Sequence, residues 1–161
     1  MSQYVFKNAN ICDISSGVIH KKDLRVKDGI ICEISDEIPE SGNDRVIDLR
    51  GKLLSPGWTD SHAHLYVNDS LGISQDMMLH SGVTFAVDAG TAGPMNFQDF
   101  IDSSLKKSRL PAKSYLNIAP YGVGKQGVEL RDLSKVDVGA CVEAAKSFAD
   151  YVIGIMLRMA A

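Results

Sequence analysis

The run "LLSPGWTDSHAHLY", residues 53–66, places an apolar stretch and a Pro-Gly break in front of two histidines, His62 and His64. Alternate residues of an extended strand share a face, so imidazoles at i and i+2 point the same way. Both can then reach one cation, at about 2.0–2.1 Å for zinc. Asp60 shares their parity two residues upstream. It is placed to act as an outer acceptor that orients a histidine ring. The chain holds two further histidines, His20 beside Lys21 and Lys22, and His80 in a short helical pattern. Both read as solvated or structural residues. Two convergent imidazoles are half of a metal site, since a catalytic zinc keeps three protein ligands and an open position.

The elements that must carry this pair change character near Pro56. Before it, residues 1–55 read as short strands and turns. "DLRVKDGIICEI" is two arms around Asp28-Gly29, a strong hairpin signal. Leu24 and Val26 share a face in one arm, and Ile30, Cys32 and Ile34 share one in the other. "RVIDLRGKLL" reads as a further strand pair broken at Gly51, giving a small antiparallel sheet. From residue 56 to 161, strands alternate with helices. "VTFAVDAG" lacks clean alternation, as a strand buried on both faces does. "ISQDMMLHSG" fits a short helix closed by Gly82. "NFQDFIDSSLKKS" (96–108) sets Phe97, Phe100, Ile101 and Leu105 at helical spacing behind Asn96 as N-cap. "KSYLNIAPYG" is a third strand. In 137–151 Asp137 caps a helix with Cys141, Val142, Ala145, Phe148 and Ala149 on one stripe, and "YVIGIML" is a fourth strand. Such β-α alternation implies βαβ units and a parallel sheet.

Composition narrows the function classes. At 161 residues with 45% hydrophobic and 23% charged residues, a packed core is expected. A net charge of −3 without a basic patch argues against nucleic acid. No apolar run is long enough to span a bilayer. The N-terminus has no signal-peptide core, and Cys12, Cys32 and Cys141 are too scattered for a disulfide or zinc framework. A cytoplasmic protein with reduced thiols is expected.

With "VKDGIICEI", "VIDLRGKLLSPGWTDSHAH", "GVTFAVDAGTAG" and "IGIMLRM" in hand, the chain resembles the amidohydrolase superfamily, in its dihydroorotase-like and amidohydrolase/deacetylase branch. The resemblance covers essentially the whole chain. It implies that residues 1–55 are part of a small β-sandwich and that residues 56–161 begin a (β/α)8 TIM-barrel hydrolase. It also implies one or two divalent metals, zinc first among them, activating water against an amide, cyclic amide, N-acyl or related ester bond of a small molecule. His62 and His64 match the family's first-strand ligands. Asp88, Gly90 and Thr91 of the "DAGTAG" loop would line the site, although the stretch reads equally well as a tight βα turn that needs small residues; Asn117 could meet substrate, although Asn117 and Tyr121 read equally well as loop supports.

Two departures qualify this. The resemblance places a metal-bridging lysine at the end of the fourth barrel strand, where this chain has Met156. A thioether cannot be carboxylated and is a soft ligand, and Lys146 lies in the preceding helix. A whole barrel also takes about 250 residues, so only four of its strands are expected. The later histidine ligands and the proton-handling aspartate would lie on strands not present, so no catalytic residue is assigned. The expectation is therefore a hydrolase by family that is truncated and inactive alone. The alternatives are a non-catalytic half-barrel remnant, or a module that pairs with a missing C-terminal half or with its own copies.

Overall fold

A computed structural model describes residues 3–69, 71–123 and 132–158. The chain divides into two compact units, Met1–Pro56 and Gly57–Ala161.

The first unit is one five-stranded sheet. Strands β1 (Gln3–Asp13), β2 (Val18–Lys27) and β3 (Ile30–Ser35) form an antiparallel meander, while β4 (Arg45–Asp48) and β5 (Leu53–Leu54) both lie on the free side of β1. Asp28 and Gly29 both have positive φ, 51° and 82°, as a two-residue hairpin turn matched to strand twist requires.

Two expectations are corrected here. The segment 45–54 is not a hairpin pair, and the sheet is mixed. β4 pairs parallel with Tyr4–Lys7 and β5 pairs parallel with Asn10 and Ile11. Between these stretches β1 is bulged, with Asn8 at φ 54°. The neighbouring chain takes a matching jog at Arg50 and Gly51, held by Gly51 N–H donating to the Asn8 carbonyl at 2.8 Å. It therefore steps along β1 instead of reversing.

The second correction concerns β3. Leu24 faces Ile34 and Val26 faces Ile31, so two steps on β2 span three on β3. Cys32 falls in the bulge, and the shared apolar face is Leu24, Val26, Ile31 and Ile34. A bulge inserts one residue and breaks the period-2 rule.

Asp23 is the buried charge of this unit. Its carboxylate accepts the N–H groups of Asn8 and Ile38 at 2.9 and 3.0 Å and pairs with Lys7 Nζ at 2.7 Å. Burial pushes its pKa up, but the Lys7 ammonium and the two amides outweigh this and hold it below the ordinary carboxylate range.

The second unit is a parallel sheet in sequence order: β6 (Trp58–Ala63), β7 (Val83–Ala89), β8 (Ala112–Asn117) and β9 (Val152–Met156). Helices α1 (Gln75–His80), α2 (Phe97–Ser103) and α3 (Val138–Ser147) fall between successive strands. Phe97, Phe100, Ile101, Leu105, Leu65, Leu116, Cys141 and Ala144 share one buried cluster. The pattern of 96–108 therefore buries the expected side chains, but the α-helix stops at Ser103 and Leu105–Lys107 tighten into a 3-10 turn. Asn96 does not cap through its side chain; its Oδ1 accepts from Gly93 N–H at 2.9 Å. Asp137 does cap α3, accepting from Ala140 N–H at 2.9 Å. On α3 the buried residues are Cys141 and Ala144; Val142 on the helix and Ala149 beyond its end are exposed. No helix among the described residues is long and apolar enough to cross a membrane.

Candidate metal centre at the end of the first parallel strand

His62 lies within β6, and His64 sits just beyond its C-terminal end. That is the end at which α/β sheets build ligand sites. The strand is irregular at this point. Asp60 pairs with Ala86 and Ala63 with Asp88, so three steps on β6 oppose two on β7. Within this bulge the Asp60 carboxylate accepts the backbone N–H of His62 at 3.0 Å. Asp60 thus shapes the backbone, and among the described residues no hydrogen bond joins it to a histidine ring, where the sequence expectation placed one.

The two imidazoles converge all the same. Their centroids are 5.9 Å apart with planes at 86°. With metal–nitrogen bonds of about 2.0–2.1 Å, two rings on one cation have centroids about 5 to 6 Å apart, a spacing the pair matches. Among the described residues no group of three His, Cys, Asp or Glu side chains could hold a metal. The pair is therefore a partial ligand set. His20 is exposed on β2, and exposed His80 has its Nδ1 2.6 Å from the Asp76 carbonyl of its own helix. Neither joins the pair.

His64 is held by a partner that spacing could not reveal. Its Nδ1 lies 2.7 Å from Thr91 Oγ1, and Thr91 Oγ1 lies 2.7 Å from Asp88 Oδ2. Asp88 closes β7 onto the end of β6. Its Oδ2 accepts from Leu65 N–H and its Oδ1 from Thr91 N–H, both at 2.7 Å, with Ser114 Oγ at 3.3 Å. Burial pushes the Asp88 carboxyl above the ordinary range, opposed by these donors.

Asp88, Thr91 and Asn117, expected to line a substrate loop, are 0%, 0% and 2% exposed. Asn117 donates to the Gly90 carbonyl at 3.0 Å and accepts from Ala119 N–H at 2.8 Å. All three are internal braces, because their polar groups are engaged within the protein. Tyr121 is exposed, and its carbonyl accepts from Asn96 Nδ2 at 3.2 Å.

Met156 ends β9 opposite Asn117. Its side chain packs on Gly90, where an added Cβ would lie 2.6 Å from Met156 Cβ. The position expected to hold a lysine is thus occupied by a packing residue.

No family model matches the chain. A deacetylase of Brucella anthropi is 30% identical over 158 residues, which is 92% of this chain and 39% of that protein. A dihydroorotase of a Geobacillus species is 28% identical over 149 residues, covering 86% of this chain and 33% of that protein. The crystal structure of an adenine deaminase superposes on 99% of this chain and 42% of its own, with a TM-score of 0.82 and 28% identity. The chain spans under half the length of these relatives. Its parallel sheet and helices match the N-terminal part of TIM-barrel relatives, and the chain belongs to the amidohydrolase superfamily.

Proposed function

We propose that the chain supplies the first two ligands, His62 and His64, of a metal-dependent hydrolase site that cleaves a C–N bond of an amide, cyclic amide or N-acyl small molecule, or a related ester. The observation that carries this reading is the convergence of the two imidazoles at 5.9 Å at the carboxyl end of the first parallel strand. The deacetylase and dihydroorotase relatives support the substrate class. When bound, a divalent ion, zinc on this donor set, supplies Lewis acidity that lowers the pKa of a coordinated water and polarises a carbonyl.

In this reading His62 and His64 bind and Thr91 orients His64. Asp88 is buried with both oxygens engaged by donors, and Asp60 accepts the His62 amide through Oδ1. The third ligand and the proton-transfer group must come from outside the described residues. A second reading, a non-catalytic half-barrel that pairs with another chain, is favoured by one observation: Met156 packs on Gly90 at the expected lysine position.

Metal analysis after dialysis tests the first reading. At most one weakly held divalent ion per chain is expected, lost in the His62→Ala, His64→Ala double variant. Two tightly retained equivalents would sink the partial ligand set. The 161-residue chain alone should show no hydrolysis of dihydroorotate, hydantoins or N-acetyl amino acids above background. Turnover that vanishes in the double variant would show it to be self-sufficient.

A further inference from the structure

We propose that Thr91 and Asp88 form a positioning relay that keeps the His64 proton on Nδ1 and so presents Nε2 as the bare, cation-facing nitrogen. The proposal rests on His62 and His64 being metal ligands.

The direction of the relay follows from counting protons. A threonine hydroxyl has one. Thr91 Oγ1 lies 2.7 Å from two polar atoms, His64 Nδ1 and Asp88 Oδ2. It must donate to one and accept from the other. Backbone N–H groups can only donate, and one sits on each Asp88 oxygen: Leu65 N–H on Oδ2 and Thr91 N–H on Oδ1. With Asp88 as a carboxylate both oxygens only accept, and the Thr91 proton goes to Oδ2. Oγ1 is left to accept, so His64 must donate from Nδ1–H. The reversed chain would need a proton on Asp88 and would move the His64 proton to Nε2, where it would block a metal. The two directions therefore give opposite tautomers.

The setting holds the relay in place. Asp88 and Thr91 are fully buried, so no water competes for the hydroxyl. Thr91 is tied twice to the same carboxylate, through its N–H and its hydroxyl. Its β-branched side chain is also stiff at χ1. Among the described residues no hydrogen bond holds the His62 ring, which meets the His64 ring in a T-shaped contact. The relay fixes one ligand of the pair, and the other serves as an internal reference. An acceptor behind a ligating histidine of this sort typically tunes metal affinity about 10–100-fold.

The test uses the metal-free 161-residue chain, labelled with 15N-histidine, at about pH 8. Long-range 1H–15N correlations report each tautomer, and a His64→Gln variant assigns the signal. His64 should be in the Nδ1–H form, moving toward Nε2–H in Thr91→Val and returning in Thr91→Ser, with His62 unchanged. An Nε2–H wild type, or an Nδ1–H signal unmoved by Thr91→Val, overturns the relay. The wild-type spectrum decides its direction even where the valine variant fails to fold. Zinc titration then asks for about 10–100-fold weaker binding in Thr91→Val, with Thr91→Ser near wild type; equal affinity in the valine variant counts against the relay. A wild type with the expected tautomers that binds no zinc supports the relay and sinks the metal reading alone.

Discussion

Replacing Gly90 by alanine should destabilise the parallel-sheet unit by about 2–5 kcal/mol, as the sum of two separable costs. Gly90 has φ +73°, in the left-handed region. A residue with a Cβ pays about 1–2 kcal/mol there. The second cost is steric. The new Cβ would lie 2.6 Å from Met156 Cβ and 2.7 Å from its Cγ, with Asn117 Nδ2 at 3.4 Å. A Cβ rooted in a strand cannot swing aside as a side-chain tip can. Overpacking of this kind costs about 1–3 kcal/mol.

The two costs separate in a double-mutant cycle with Met156→Gly, which removes the atoms in the way. In that background Gly90→Ala should cost only the conformational part, about 1–2 kcal/mol. The coupling energy should then be about 1–3 kcal/mol. Urea unfolding followed by circular dichroism, at one protein concentration for all four chains, measures it. A Gly90→Ala chain within about 0.5 kcal/mol of wild type would refute the reasoning. So would an equal cost in both backgrounds, because Met156 would then not be what the new methyl meets.

Three further outcomes are expected. Asp23→Ala should orphan the buried Ile38 N–H and lower stability by at least about 1–3 kcal/mol, and a shift of the urea midpoint measures it. Because the Asp23 pKa is lowered in the fold, its contribution is present above the ordinary unfolded value of about 4 and is lost as pH falls through the lower folded value. Acid titration of stability should therefore be flatter in Asp23→Asn, and parallel curves would count against the pairing with Lys7. Asn117→Ala removes both ends of the brace between Gly90 O and Ala119 N–H, and should cost about 1–3 kcal/mol by the same unfolding assay. Exposed apolar residues on β3 and along β9, with Ile31, Ile34, Ile153 and Ile155 each about half exposed, should drive self-association or pairing with a complementary chain. Light scattering on a gel-filtration column checks this, and a sharp monomer at micromolar concentration would contradict it.

Legibility in the sequence followed the range of the cause. The Asp28-Gly29 hairpin and the Asp137 cap depend on neighbours within a few residues, and both form as read. The alternation of strand and helix after Pro56 is also local, and it yields the ordered parallel sheet. The corrections arose where register decides. The bulge at Asn8 turns segment 45–54 into two parallel partners of β1, and the bulge at Cys32 moves Ile31 onto the apolar face. A one-residue insertion flips every later side chain, and no local residue preference announces it.

The site divides along the same line. His62 and His64 could be found because their relation is a spacing within one strand. The support of His64 could not, because Leu65, Asp88 and Thr91 meet only when Ala63 pairs with Asp88 across two strands. The "DAGTAG" motif did carry a signal, which small-residue turn chemistry masked. Its glycine answers to Met156 and its threonine to His64. Met156 therefore takes part in the site without offering a ligand. It fills the space against Gly90 in the loop that leads to Thr91, and a polar or flexible side chain there would loosen the packing that keeps Thr91 against Asp88. The end of β9 thus packs on the loop that carries Thr91, at the position where the family resemblance assigns a bridging ligand. In the proposed reading the described residues supply two ligands, His62 and His64, and no third.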